Sequence, residues 1–363
     1  MLIGIDASRA VAARPTGTEV YSQRLIRALL QLESPHRFRL YFRGHPPAGA
    51  FPGADRRVIP FPRAWTHARL SWEMALRAPG ALFVPAHVLP LIHPRTSLVT
   101  VHDLGYLHFP AAHPLGQRLY LDLSTRWNAR VAVHVLADSQ ATRADLVARY
   151  GTPPEKITVA YPGRDEALAP ARDPAAVEAV KARYGIDGRY FLYLGTLQPR
   201  KNLSRLIAAF GRLRSDAVLV LAGKRGWLYQ DLFAQVRRLG LEGRVHFPGY
   251  VPDDDKAILL SAALAFVFPS LYEGFGLPVL EAQACGCPVV ASATSSLPEV
   301  AGDAAALLVD PTDVEGIAVA LERVAADPAL RATLIERGFS NVRRFSWDAC
   351  ARTVLGAIEQ CAA

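Results

Sequence analysis

The chain has 363 residues, too many for one ordinary core and enough for two domains of about 150 residues or more. At 51% hydrophobic and 20% charged residues the composition is globular, which excludes global disorder and fibres. The net charge is +8, and all the excess lies early: residues 1–163 carry 19 Lys/Arg against 10 Asp/Glu, the remainder 22 against 23.

In chain order, apolar runs predict strands at residues 2–5, 38–42, 81–84, 97–101, 131–137 and 157–161. Further runs follow at 190–194, 217–222, 245–247, 265–268 and 288–291. Helical periodicity fills the intervals, clearest over 19–32, 142–150, 203–213 and 228–239, with a last helix over 346–360. Many of the strand runs are apolar without alternation, the pattern of parallel sheets covered on both faces. The expected fold class is α/β, with two doubly wound Rossmann-like domains over 1–163 and 164–345. Residues 346–363 are expected to form a C-terminal helix packing back on the first domain. Pro162, Gly163 and Pro170 place the linker over 162–173. The opening run MLIGI is too short for a signal peptide, and no window reaches the ~18 apolar residues of a spanning helix. Cys285, Cys287, Cys350 and Cys361 stand apart from any histidine cluster, so a reduced cytoplasmic protein without a zinc site is expected.

The stretch FPSLYEGFGLPVLEAQACGCP, residues 268–288, carries the densest chemistry. A strand ends near Phe268, the turn Glu273-Gly274-Phe275-Gly276 follows, and Pro278 suits the first turn of a helix bearing Glu281. Glycines admit backbone amides close to a ligand, the helix N-terminus favours negative charge, and carboxylates accept from sugar hydroxyls. The same spacing also fits a tight turn with two solvated glutamates. A second signal is GTLQPRKN, residues 195–202, where Arg200 and Lys201 arrive after a strand's carboxyl end, the place where α/β sheets bind phosphate-bearing ligands. By spacing alone, Asn202 or Ser204 capping a helix with both cations in water fits as well.

Together these stretches resemble glycosyltransferase family 4, the group 1 glycosyltransferases of GT-B fold. The resemblance covers nearly the whole chain: GTLQPRKNL, EGFGLPVLEA, GYVP at 249–252, CPVVA, PEVAG and AALLVDP in the second half, VTVHDLGYLHFP and ADSQATRADL in the first. The first-half motifs are most similar to the family's bacterial mannosyltransferase-like branch. The resemblance implies a GT-B architecture whose two domains face a central cleft. It implies that Arg200 and Lys201 meet the donor diphosphate, that Glu281 holds the ribose hydroxyls and that Tyr250 and Val251 lie near the base. It also implies that Glu273 contacts the transferred sugar together with the amides of Gly274, Phe275, Gly276 and Leu277. Many members have an arginine where this chain has Thr196, and the usual glycine pair of the first loop is reduced to Gly17, the residue expected near the phosphates. His102 follows the strand at 97–101 directly and matches the family's active-site histidine, with Asp103 orienting the loop or capping the next turn.

The activity implied is that of a metal-independent retaining hexosyltransferase. It needs no cofactor and takes a nucleoside-diphosphate sugar, GDP-mannose favoured, to a glycan or lipid-linked acceptor. A catalytically silent nucleotide-sugar-binding subunit, or a phosphorylase or synthase of the same fold, are the alternatives. Asp253-Asp254-Asp255 after Pro252 reads as a helix N-cap rather than a metal motif. The arginine-rich stretch 24–77, with Trp65 and Trp72, fits an anionic acceptor or a membrane surface at its inner face, and fits equally a solvated helix face. No recognition motif accompanies the charge, so nucleic acid is not expected as a partner.

Overall fold

The computed structural model describes residues 1–12, 17–86, 88–110 and 113–362. The chain divides into two compact units, Met1–Gly163 with Phe345–Ala363, and Arg164–Arg344. The first unit's main segment ends at Gly163, and Phe345 belongs with the first unit. By sequence the whole net charge of +8 belongs to the first unit, because Arg164–Arg344 holds as many acids as bases.

The first unit runs β1 Leu2–Asp6, α1 Gly17–Gln31, β2 Arg37–Phe42, β3 Asp55–Val58, a π-helical turn Trp65–Leu70, α2 Ser71–Arg77, β4 Ala81–Val84, β5 Ser97–Val101, α3 Gly105–His108, α4 Leu115–Val131, β6 His134–Ala137, α5 Gln140–Tyr150 and β7 Ile157–Val159. The second runs α6 Pro174–Arg183, β8 Tyr190–Leu194, α7 Leu203–Phe210, β9 Val218–Ala222, α8 Gln230–Arg238, β10 Val245–Gly249, α9 Asp253–Ala262, β11 Ala265–Phe268, α10 Leu277–Ala284, β12 Val289–Ser292, α11 Leu297–Ala301, β13 Leu307–Val309, α12 Val314–Ala326 and α13 Pro328–Val342. The last helix, α14 Trp347–Ala362, returns to the first unit, against α1.

Among the described residues both sheets are parallel, in the orders β3-β2-β1-β4-β5-β6-β7 and β10-β9-β8-β11-β12-β13. Each therefore reverses strand order once, between β1 and β4 and between β8 and β11, and doubly wound sheets bind ligands at the carboxyl ends flanking such a reversal. In the first unit alternate residues feed opposite cores. Ala81 and Phe83 pack with α1 and α14, while Leu82 and Val84 pack with the π-turn and α2. Gly163 lies against the start of α14, where a Cβ would come within 2.2 Å of the Trp347 backbone nitrogen, so the close passage requires glycine.

Two readings are corrected, and the strands β3 and β13 fall outside the predicted runs. Residues 131–137 are not one strand: α4 continues through Val131, and β6 begins only at His134. β3, reading DRRV, has no apolar run to betray it, because it is the edge strand and half in water. The three aspartates at 253–255 make no side-chain cap, since Pro252 occupies the cap position of α9 in extended conformation. Asp255 instead takes two hydrogen bonds from the Arg183 guanidinium, both 2.7 Å, and one from the Tyr184 hydroxyl at 2.6 Å.

Candidate active site

In the second unit the strand-order reversal brings together the loop after β8 and the loop after β11. Pro199–Lys201 forms a single 3-10 turn that carries both cations. Leu271 donates its amide to the Arg200 carbonyl at 2.9 Å, fixing one loop on the other. Lys201 Nζ then reaches Glu273 Oε1 at 2.5 Å and lies 4.8 Å from the centre of the Phe268 ring. Arg200 reaches Glu273 Oε2 at 3.3 Å and also donates to the Tyr272 carbonyl. All three charged side chains are largely buried, so neither cation points freely to water. Burial alone would raise the Glu273 carboxyl, but Lys201 and Arg200 beside it hold it below the usual carboxylate range.

The turn itself is held by serines. Ser295 accepts from the Glu273 amide at 2.9 Å, and Ser296 donates to the carbonyls of Glu273 and Phe275. Gly276 caps α10 at φ 118°, a conformation open to glycine, and a Cβ there would lie 2.8 Å from Leu297. Phe275 and Val251 are buried, Gly274 and Leu277 flank Gly276 on the same turn and helix start, and Tyr250 is 60% exposed with Lys224 Nζ 5.5 Å from its ring centre. Glu281, on the second turn of α10, meets Lys256 Nζ at 2.9 Å. Burial pushes its carboxyl up and Lys256 opposes the rise.

In the first unit His102 follows β5. Its Nδ1 lies 2.7 Å from Asp138 Oδ2 and its Nε2 lies 3.0 Å from the Pro85 carbonyl, after β4. The Pro85 carbonyl accepts from Nε2, and Asp138 beside Nδ1 favours the protonated ring. Burial would lower its pKa, and the Asp138 carboxylate outweighs burial and raises it. The Tyr21 ring abuts the imidazole edge to face, with centres 4.8 Å apart. Asp103 accepts from the Gly105 amide at 2.8 Å, as a turn cap does. Gly17 is the first residue of α1 and is exposed, and among the described residues a Cβ on it would meet no atom within 4 Å.

Lys256 and Ser295–Ser296 escape sequence reading, which sees Asn202 only as a possible helix cap and Asp138 only as part of the motif ADSQATRADL. Asn202 is no side-chain cap: at φ 59° it sends its amide nitrogen to the carbonyls of Pro269 (3.0 Å) and Pro311 (2.6 Å), tying three loops of the second unit together. Its partners lie 67 and 109 residues away, beyond any local pattern. An amide next to two cations and before a helix was the only signal available.

Comparison with known proteins decides the family. The model of the glycosyl transferases group 1 matches residues 178–340, and that of glycosyltransferase family 4 matches residues 15–168. O-antigen chain mannosyltransferase B of Escherichia coli is 36% identical over 266 residues, 72% of this chain and 69% of that protein. The chain belongs to the group 1 glycosyltransferases. This glycosyltransferase is also 32% identical, over 295 residues, to D-inositol 3-phosphate glycosyltransferase of Kribbella flavida, covering 77% of this chain and 67% of that one. Its architecture matches the GT-B fold: sucrose-phosphate synthase from Thermosynechococcus elongatus superposes with a TM-score of 0.79 at 23% identity, over 99% of this chain and 98% of that one. Among the described residues no helix is long and apolar enough to cross a membrane.

Proposed function

We propose that this glycosyltransferase moves a hexose, with retention of anomeric configuration, from a nucleoside-diphosphate sugar to a hydroxyl of a glycan or lipid-linked acceptor. GDP-mannose is the favoured donor, on the strength of the mannosyltransferase relative. The observation that carries the reading is the convergence of Arg200 and Lys201 on Glu273 where the second sheet reverses its strand order.

Breaking the glycosidic bond leaves negative charge on the departing diphosphate, and two cations fixed in a sparsely hydrated turn stabilise that charge without reorganising. Glu273, ionised by the same cations, accepts from hydroxyls of the transferred sugar, with the amides of Gly274, Phe275, Gly276 and Leu277 around it. Glu281 takes the ribose hydroxyls, and Tyr250 and Val251 border the base. Gly17, with no side chain, admits the phosphates closely. His102, whose pKa the Asp138 carboxylate raises, serves the donor sugar as a positively charged group rather than as a base. In this scheme a donor phosphate oxygen helps deprotonate the acceptor, and neither a metal nor a cofactor is assigned a role.

The test is sugar release or transfer by the purified chain from GDP-mannose, UDP-glucose and ADP-glucose, with the product anomer read by NMR. Loss in Lys201→Ala and Glu273→Ala supports the assignment. Binding without turnover by the unaltered chain, across all donors and acceptors offered, would favour the nucleotide-sugar-binding subunit, the reading that the missing arginine at Thr196 suggests.

A further inference from the structure

The amino-terminal half of α4 stands in solvent. Residues 114–120 are all exposed, and the helix buries only Thr125 and Asn128. Leu115, Leu119 and Leu123, spaced i, i+4, i+8, form a stripe exposed by 80, 60 and 56%. A stripe of leucines on an amphipathic helix ordinarily meets a core, and among the described residues this one meets none.

Its surroundings continue the same chemistry. Tyr120, on α4, is 3.4 Å from His67 Nε2 on the π-turn that runs into α2, where Trp72 and Leu76 are exposed. Ser71 at the start of α2 accepts from the amide of Leu91 at 2.9 Å, and Leu91 and Ile92 are exposed as well. Trp127 of α4 donates to the Leu89 carbonyl at 3.2 Å, which closes the ring of contacts among the three segments. Residues 63–77, 91–95 and 114–130 together carry seven arginines, against only Glu73 and Asp122. Glu73 is paired with Arg57, Arg69 and Arg77, and Asp122 with Arg126 and Tyr150, so the two acids offset part of the charge and the three stretches keep a net charge of +5.

We propose that this face of the first unit, centred on the α4 leucine stripe, docks on an anionic lipid bilayer. Leucines and Trp72 enter the interfacial layer while arginines such as Arg118 and Arg130 meet lipid phosphates. Charge chooses the occupant: a second copy of the chain would set seven arginines against seven, whereas an anionic surface complements them. The sequence alone pointed to the stretch 24–77 with both its tryptophans; Trp65 is buried, and the exposed stripe lies on α4 instead. The use of such docking, to reach a lipid-linked acceptor, rests on the proposed function; the docking itself does not.

The experiment is co-sedimentation of the full chain with vesicles of phosphatidylcholine alone and with about a quarter phosphatidylglycerol, at low salt and at about 0.5 M salt. The unaltered chain is expected to sediment with the anionic vesicles only, and less at high salt. The variant Leu119→Glu/Leu123→Glu, on exposed positions and checked for an unchanged melting temperature, is expected to lose at least tenfold in binding while keeping donor hydrolysis in solution. Arg118→Glu/Arg130→Glu is expected to lose binding similarly. Absence of sedimentation by the unaltered chain, sedimentation unaffected by the leucine variant, or a dimer that the leucine variant dissolves in place of vesicle binding would each overturn the proposal. Vesicle binding by a chain that cleaves no donor would leave the docking standing and defeat the proposed reaction.

Discussion

Lys201 and Glu273, 72 residues apart in sequence, form a 2.5 Å ion pair across the strand-order reversal of the second unit. Each is about one-tenth exposed, so the pair is costly to break from one side: removing one partner of a buried pair typically costs about 3–5 kcal/mol. Arg200 remains beside Glu273 and reduces that cost. Lys201→Met is therefore expected to lower stability by about 2–3 kcal/mol and donor turnover by about 10²–10³-fold. The double variant Lys201→Met/Glu273→Gln should regain much of the stability and none of the turnover. Thermal unfolding and initial rates on the same preparations separate the two effects; additive losses in stability would show that the pair is not coupled.

Asn202 predicts a backbone effect distinguishable from a side-chain effect. It is 4% exposed, sits at φ 59° and serves two buried carbonyls. Asn202→Gly keeps the backbone conformation and loses the hydrogen bonds, while Asn202→Ala loses both. The alanine variant should lie about 1 kcal/mol below the glycine variant, and both about 2 kcal/mol or more below the parent chain. Chemical denaturation checks the order; alanine equal to or above glycine would contradict it.

His102 and Asp138 predict a pH dependence. The folded-state pKa of His102 is raised above its unfolded value, so its contribution to stability is complete below about pH 6.5 and is lost as pH rises through the folded-state value. Asp138→Asn removes the charge that causes the rise while keeping an oxygen to accept from Nδ1. The parent chain should lose melting temperature across that alkaline-going window, and the variant should start lower and lose less. An identical slope in both chains would remove Asp138 as the cause.

Lys256 predicts a change in donor binding. Burial raises Glu281 and Lys256 restrains that rise, so Lys256→Met should push the carboxyl further up. On the proposed role, ionised Glu281 is the form that accepts ribose hydroxyls, so donor KM in the variant should be higher than in the parent chain and recover as pH increases. The kcat should change little. A KM that is unaffected, or that worsens with rising pH, would contradict the role.

Much of the architecture was legible because strands buried on both faces are written as unbroken apolar runs such as FLYL after Tyr190 and AFVF at 265–268. The edge strand β3 was not, since DRRV owes its conformation to pairing with β2 rather than to its own side chains. The end of α4 was misread because Val131 is apolar and adjoins a strand, while the helix is set by tertiary contacts such as the Asn128 side chain accepting from the Leu89 amide. In the site, the residue types of both loops were visible, and the resemblance joined them. What pattern alone could not show was which groups touch. Glu273 with Lys201, His102 with Asp138 and Glu281 with Lys256 lie 72, 36 and 25 residues apart, and no local spacing encodes such pairings.

The central claim, that the Arg200–Lys201–Glu273 cluster grips and activates a sugar nucleotide, is tested most directly by donor cleavage in the parent chain beside Lys201→Ala and Glu273→Ala, each confirmed folded. The account predicts cleavage of at least one nucleoside-diphosphate sugar by the parent chain and a loss of about 10²-fold or more in both variants. Cleavage undiminished in either variant would contradict it.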